Sequence, residues 1–302
     1  MRSRTGYLEL IVCGLVWGSI GVLVKEVDVS APVIVFFRLA LGSLSVIIVW
    51  GLRGKLADLR LSKPRGGVVA AGLILAVHWL AFIEAYKRMS VATTILVVYV
   101  GPVLIAAAAP AVLGERLERR TLYALALSIA GILLIAVPSS GEIGGIGLFF
   151  AGVAAVLFAA LVLTLKKYVT PIQRAPATVA WQLGIAAVAV SPFLVVASGD
   201  EIARAAPTLL ALGVIHTGLI GILYVSAIAV VQAQHVSILV YLEPVTAVLW
   251  AWAVLGESPT LATLFGGALI IAAGLLIVVP SLRGIPSPSM PEPADARVGG
   301  IR

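Results

Sequence analysis

From Tyr7 to Pro280 the chain is a succession of apolar stretches broken by short segments of charge, glycine or proline. A hydrocarbon layer about 30 Å thick takes about 20 apolar residues of helix to cross. No water reaches the backbone there, so every crossing segment must satisfy its own N–H and C=O groups. These constraints predict an all-α, polytopic membrane protein with ten transmembrane helices. They fall near residues 6–24, 31–51, 67–87, 91–113, 119–138, 144–166, 174–198, 206–230, 235–255 and 260–280. Hydrophobic residues are 61% of the chain, charged residues 12%, and the mean hydropathy is +1.12, which excludes an ordinary soluble domain. The first apolar run follows two arginines like a secretory signal, but no Ala-x-Ala-like cleavage site precedes Lys25, so it reads as an uncleaved helix. The tail 281–302, rich in Pro, Ser and Gly, is expected to be disordered and cytoplasmic.

The net charge of +7 would suggest an acidic partner in a soluble protein, but here the cations sort by side of the membrane. One side takes Arg2, Arg4, the cluster from Arg53 to Arg65, Arg116, Arg119, Arg120, Lys166, Lys167, Arg174 and the tail arginines. The other takes Lys25, Lys87, Arg88 and Arg204, sixteen against four, with Arg38 inside a span. The crowded side is expected to be cytoplasmic, with both termini on it, in a bacterial inner membrane. No nucleic-acid partner is expected.

An internal repeat sharpens this picture. Tyr99, Pro102, Leu113, Gly114, Glu115 and Pro138 recur as Tyr241, Pro244, Leu255, Gly256, Glu257 and Pro280, each displaced by 142 residues. Leu133, Leu134 and Ile135 recur as Leu275, Leu276 and Ile277 at the same offset. Two units follow, 1–138 and 139–280, with five spans apiece. Because five is odd, the second unit enters the membrane in the opposite sense, giving two inverted five-helix repeats. Inverted repeats are typical of secondary transporters, whose midplane site opens to each side in turn.

The segments Tyr99-Val-Gly-Pro-Val to Leu113-Gly-Glu-Arg and Tyr241-Leu-Glu-Pro-Val to Leu255-Gly-Glu-Ser resemble the paired EamA units of the drug/metabolite transporter superfamily. Trp17-Gly18, Phe36-Phe37-Arg38, Trp181-Gln182 and His216-Thr217-Gly218 support the resemblance, which covers about residues 6–280. It implies ten helices with a central cavity lined mainly by the first, third, fourth, sixth, eighth and ninth. Members of that superfamily move amino acids, other metabolites, nucleotide sugars or drugs, so the fold does not fix the substrate. The chain departs from strict duplication at Gly101, which stands where the second unit has Glu243.

Ionisable groups inside a span cost about 2.5 to 3.5 kcal/mol on insertion scales, so each needs a partner or a cavity. Glu243 precedes Pro244, whose missing donor leaves a helix carbonyl free. A proton or cation site and a carboxylate held at a helix kink are both consistent with it. Arg38 must face the bundle or snorkel, and either pairs structurally or binds a substrate carboxylate. His78 and His216 titrate near neutrality when unperturbed, and either relay protons or bond to neighbouring carbonyls and hydroxyls. Glu84 and Arg88 have the spacing of a surface ion pair. Trp79 and Tyr86 share a helix face, as do Tyr241 and Trp252 by the same arithmetic. With Trp17, Phe82, Tyr99, Phe158 and Tyr224 they are candidate cavity walls for planar or cationic solutes, or else packing and interface residues. Gly14 and Gly18, and the Ala151, Ala155, Ala159 row, read as close-packing faces; Pro102 and Pro244 are candidate hinges. Glu115 and Glu257 read as loop-fixing groups at opposite membrane surfaces.

The lone Cys13 offers no disulfide or thiolate cluster, the histidines lack metal spacing, and there is no Walker A segment. No cofactor is implied. The expected function is secondary transport of small organic metabolites, with export of amino acids or amphiphilic compounds favoured. Proton coupling is left open, and the chain is expected to be a monomer or weak homodimer in contact with lipid. The alternatives are a membrane-embedded enzyme acting on lipid-linked substrates and a receptor or scaffold that transports nothing.

Overall fold

The computed structural model describes residues 2–25, 27, 29–89, 94, 97–136, 145–194, 199–256 and 258–282. They are helical almost throughout. In chain order the helices are α1 (Arg2–Trp17), α2 (Ile20–Lys25), α3 (Ala31–Leu52), α4 (Gly66–Arg88), α5 (Val100–Leu113) and α6 (Arg119–Ala136). They continue with α7 (Gly145–Thr164), α8 (Ala175–Val190), α9 (Gly199–Leu210), α10 (Ile220–Val230), α11 (Ala233–Val240), α12 (Leu242–Leu255) and α13 (Leu261–Leu282). Wider π turns extend α7 through Leu165–Val169 and join α9 to α10 through Ala211–Leu219.

Helices occupy the positions expected from the apolar stretches. Among the described residues, eight helical stretches are long and apolar enough to cross a membrane: Arg4–Val24, Pro32–Leu52, Gly66–Ala85, Gly145–Val169, Ala175–Leu194, Gly199–Val230, Ala233–Val254 and Leu261–Pro280. The remaining two are shorter. Helix α5 has 14 residues, because a turn at Tyr99 interrupts the fourth apolar stretch, part of which (90–93, 95 and 96) lies outside the described residues. Helix α6 has 18 and opens on Arg119 and Arg120. The expected disordered tail lies outside the described residues except for Ser281 and Leu282, which end α13.

Large apolar side chains point outward, among them Val188 (74% exposed), Leu261 (74%) and Phe265 (67%). In water such a surface would drive association; in lipid it is the solvated surface. The chain is a multi-pass membrane protein.

Small residues set the helix packing inside. Helix α6 crosses α13 backbone to backbone: a Cβ on Gly131 would lie 2.6 Å from the Gly266 carbonyl oxygen and 2.6 Å from Ile270. Gly266 in turn faces Ile135, so the two helices run antiparallel. Helix α4 lies along α7 and α8, α3 along α8 and the π segment 211–219, and α1 along α10 and α12. Helix α5 lies along α7 and α11. The α5 and α11 strip is also antiparallel, because Tyr99 meets Tyr241 while Glu115, past the far end of α5, meets Ala233 at the start of α11.

Candidate functional site

Several chain segments lose regular α geometry at places that face one another. The first span breaks at Gly18 and Ser19, the fourth at Tyr99, the ninth at Tyr241, and the eighth widens through Ala211–Leu219. Irregular backbone at membrane depth survives only where it is enclosed by protein or lines a cavity. Here the breaks enclose each other.

The first break is seated on α12. A Cβ on Gly18 would come within 2.1 Å of Thr246 Oγ1 and 2.7 Å of the Ala247 nitrogen, so no side chain fits. Thr246 Oγ1 donates to the Gly14 carbonyl at 2.6 Å, and Gly14 lies against Leu242. The same end of α1 is tied to the widened eighth span. Trp17 Nε1 donates to the His216 carbonyl at 2.9 Å, and Ser19 Oγ is 2.8 Å from His216 Nε2. His216 Nδ1 lies 3.0 Å from the Ala211 carbonyl oxygen, so both ring nitrogens are engaged. The Trp17 ring meets Tyr224 edge-on at 5.0 Å. Tyr224 is buried, and its hydroxyl has no hydrogen-bond partner among the described residues.

The fourth and ninth spans cross at their breaks. Tyr241 is fully buried and its hydroxyl donates to the Tyr99 carbonyl at 2.7 Å, with ring centroids 5.5 Å apart. The Tyr99 and Glu243 side chains lie within electrostatic reach of each other. Pro102 and Pro244 both lie in the first turn of a helix that starts after the break, where a missing N–H leaves no bond unmade. The break at Tyr241 also resets the helical phase: Tyr241 is enclosed while Trp252 is 56% exposed, so the expected common face does not exist.

Arg38 projects from α3 into this region. Its Nε lies 3.3 Å from Thr217 Oγ1, and its guanidinium carbon sits 4.3 Å from the centroid of the Trp79 ring. Arg38 and Glu243 act on each other electrostatically, and both keep part of their surface accessible. The close seat of α3 on the eighth span that brings Arg38 here depends on Gly42, Gly213 and Gly218, each of which would collide with the facing helix if it carried a Cβ.

His78, Phe82 and Phe158 form a neighbouring group. His78 Nδ1 bonds the Ala154 carbonyl at 2.9 Å, its ring stacks on Phe82 at 6.1 Å, and Phe158 lies 5.7 Å away. Phe158 and the Ala155 carbonyl also pack on Gly101, each 3.0 Å from where a Cβ would stand. Of the alanine row, Ala151, Ala155 and Ala159 are all buried. Glu84 pairs with Arg88 at 3.0 Å on the outside of α4. The Tyr86 side chain and Glu257 lie outside the described residues. Among the described residues, no three His, Cys, Asp or Glu side chains group as a metal site would require.

Glu115 does more than its position at a helix end suggested. Both carboxylate oxygens accept the Ala233 N–H, at 3.0 and 2.9 Å, and Lys166 Nζ lies 3.6 Å away. Lys166 also donates to the Ile228 and Val231 carbonyls, and Gln234 Nε2 donates to the Arg116 carbonyl at 2.8 Å. Beside them Tyr7 Oη is 2.5 Å from His235 Nδ1. A carboxylate at a helix start and a cation on the last carbonyls of another helix complement both helix dipoles. The network ties α1, α5, α7, α10 and α11 together at one end of the bundle. The Leu-Gly-Glu motif marked the carboxylate in the sequence, but its partner is 118 residues away and no local pattern signals it.

Comparison with known proteins agrees with this arrangement. The model of the EamA-like transporter family matches twice, at residues 4–137 and 145–279. An uncharacterized transporter of Archaeoglobus fulgidus is 28% identical over 276 residues, covering 91% of this chain and 96% of its own. The pseudopaline exporter CntI of Pseudomonas aeruginosa is 25% identical over 89% of this chain and 94% of its own. The uncharacterized inner membrane transporter YicL of Salmonella typhimurium is 25% identical over 93% of this chain and 97% of its own. A crystal structure superposes with a TM-score of 0.79 over 90% of this chain and 97% of its own, at 18% identity, which is a likeness of fold.

Proposed function

Because the chain belongs to the EamA-like transporter family, we propose that it is a secondary transporter exporting small organic metabolites, amino acids or amphiphilic compounds, by alternating access through the junction of broken helices. The observation that carries this reading is the meeting of Arg38, Trp79, Tyr99, Thr217 and Glu243 inside an otherwise apolar bundle. Charged groups at such depth are costly unless a polar solute or water shares the site. The bundle crosses the bilayer ten times, with both termini in the cytoplasm of a bacterial cell.

The helix pairings support two inverted units, 1–138 and 139–280. Exchanging the units turns the α4 and α7 pair into the α10 and α1 pair, and the α5 and α7 pair into the α12 and α1 pair, all of which occur. The repeat-related helices α6 and α13 run antiparallel, as units of opposite orientation require, and α5 runs antiparallel to α11, the first half of the span that corresponds to its own. In this conformation the Glu115 and Lys166 network joins the two units at the end read as cytoplasmic, so opening to that side must break it.

The test is flux in proteoliposomes, with a metabolite panel and with and without an imposed pH gradient. Protein-dependent movement of intact solute is expected. Chemical conversion of a lipid-linked substrate without flux would replace this reading with an enzyme.

A further inference from the structure

The segment between α3 and α4 carries Arg53, Lys55, Arg60, Lys63 and Arg65 against a single acid, Asp58. All five cations are exposed, and none has an acidic partner among the described residues, because Asp58 pairs with Arg174. A preference for one side of the membrane accounts for a basic loop, but not for a folded one. This loop is pinned from the start of α8. Ser62 exchanges two hydrogen bonds with Gln173: its N–H donates to Oε1 at 2.9 Å and its carbonyl accepts from Nε2 at 2.7 Å. Trp181, in the second turn of α8, donates from Nε1 to the Leu59 carbonyl at 2.8 Å, and Leu59 is buried. The 3₁₀ turn Leu56–Leu59 is thereby drawn down to the level of that helical turn. Leu52 (85% exposed) and Leu56 (54%) flank it, a poor arrangement against water and a suitable one against acyl chains. Aromatic rings mark the same level: Trp181 and Tyr168 are half-exposed, and the Arg53 guanidinium lies 5.7 Å from the Trp50 ring. Tyr168 packs 3.1 Å from where a Cβ on Gly67 would stand, so Lys167, whose Nζ is 5.5 Å from the Tyr168 ring, joins the surface beside Arg65. Trp and Tyr favour the membrane interface, and long cationic side chains lay their stems on apolar surface with the charge at the phosphates.

We propose that this folded loop, with Lys167, is a binding surface for anionic phospholipid headgroups of the adjoining leaflet. Charge complementarity selects the occupant: the cations outnumber the acid, and the acid is already neutralised by Arg174. A zwitterionic headgroup also offers a phosphate, but it brings its own cation, which an unpaired basic cluster repels. The exposed leucines meet the acyl chains of the same lipid, so a soluble anion would satisfy only half of the surface. The inference needs the chain to sit in a membrane and is independent of what it carries.

The test uses the full-length protein in mild detergent, offered equal amounts of dioleoyl phosphatidylglycerol and dioleoyl phosphatidylcholine, with retained lipid read by native mass spectrometry. Wild type is expected to retain phosphatidylglycerol about tenfold over phosphatidylcholine, a preference that shrinks as salt is raised. Arg60→Gln combined with Lys63→Gln should weaken phosphatidylglycerol retention about fivefold for each cation removed and leave phosphatidylcholine unchanged. If that variant does not fold, Lys55→Gln alone should show the single fivefold loss. Arg88→Gln combined with Arg204→Gln removes the same charge from exposed positions elsewhere and should change neither lipid. Inorganic phosphate at the lipid concentration should not displace the bound lipid. Equal retention of the two lipids by wild type, or undiminished phosphatidylglycerol retention in the loop variants, would leave these cations a role in membrane insertion only. An equal loss in the Arg88 and Arg204 variant would make the effect one of net charge, and displacement by inorganic phosphate would make the site one for soluble anions; each of these results overturns the proposal.

Discussion

Glu243 was visible in the sequence as a carboxylate in an apolar span, and Arg38 as the one cation inside a span, yet nothing local related them. They lie 205 residues apart in the chain, and only packing brings them within electrostatic reach of each other. The aromatic candidates divide in the same way. Trp79 covers a charged group, whereas Tyr241 is enclosed and braces Tyr99. Glu243→Gln is expected to lower flux by about tenfold, equivalent to about 1.4 kcal/mol in the transition state. The sign with pH follows from the need for a charged carboxylate: wild-type flux falls as the medium is acidified, and the Gln variant is low and flat throughout. Initial rates in proteoliposomes across pH check this. Trp79→Ala should change the ranking of a solute panel more than it changes thermal stability, because it uncovers Arg38 without opening the backbone contacts below. Equal relative affinities across the panel would reduce Trp79 to packing.

At the scale of elements, hydropathy located the helices well because length and apolarity dominate in lipid. It could not locate the interruptions within them, which arise where one backbone meets another. Pro102 and Pro244 flagged the right places, but as first-turn residues of a fresh segment and not as kinks in a continuous one. Gly18 is the most constrained of these contacts. Gly18→Ala would push a methyl group into the Thr246 hydroxyl and the α12 backbone, and overpacking of this kind costs about 1–3 kcal/mol. A lower melting temperature in detergent, with reduced membrane yield, is the expected result. Glu115→Ala removes the acceptor of the Ala233 N–H and the counter-charge of Lys166. Breaking a buried pair on one side costs about 3–5 kcal/mol. On the proposed alternating-access cycle the network holds that end shut, so cysteines introduced beside it should react faster with a polar thiol reagent in this variant than in wild type.

The whole molecule is two copies of one plan packed against each other, and that much was legible from the residues repeating at an offset of 142. Orientation was readable only through the charges of the loops. It can be measured directly, because the native Cys13 is buried against the Ile220 carbonyl and should give little background. The 3₁₀ turn Leu56–Leu59 and the start of α9 occupy equivalent places in the two units, Asp58 matching Asp200. Lys55→Cys and Asp200→Cys, both at exposed positions, are expected to label from opposite sides of the membrane. Labelling from one side would abolish the inverted arrangement.

One asymmetry limits what such a machine can count. Gly101 is pressed against the Ala155 carbonyl and the Phe158 ring, so a side chain there, such as the acid its sibling carries at Glu243, would have to push these neighbours aside. A second carboxylate at that level would need the contact between α5 and α7 to widen. On the proposed transporter reading, the crossing point offers one carboxylate where strict duplication would have given two, a count set by the width of a helix contact.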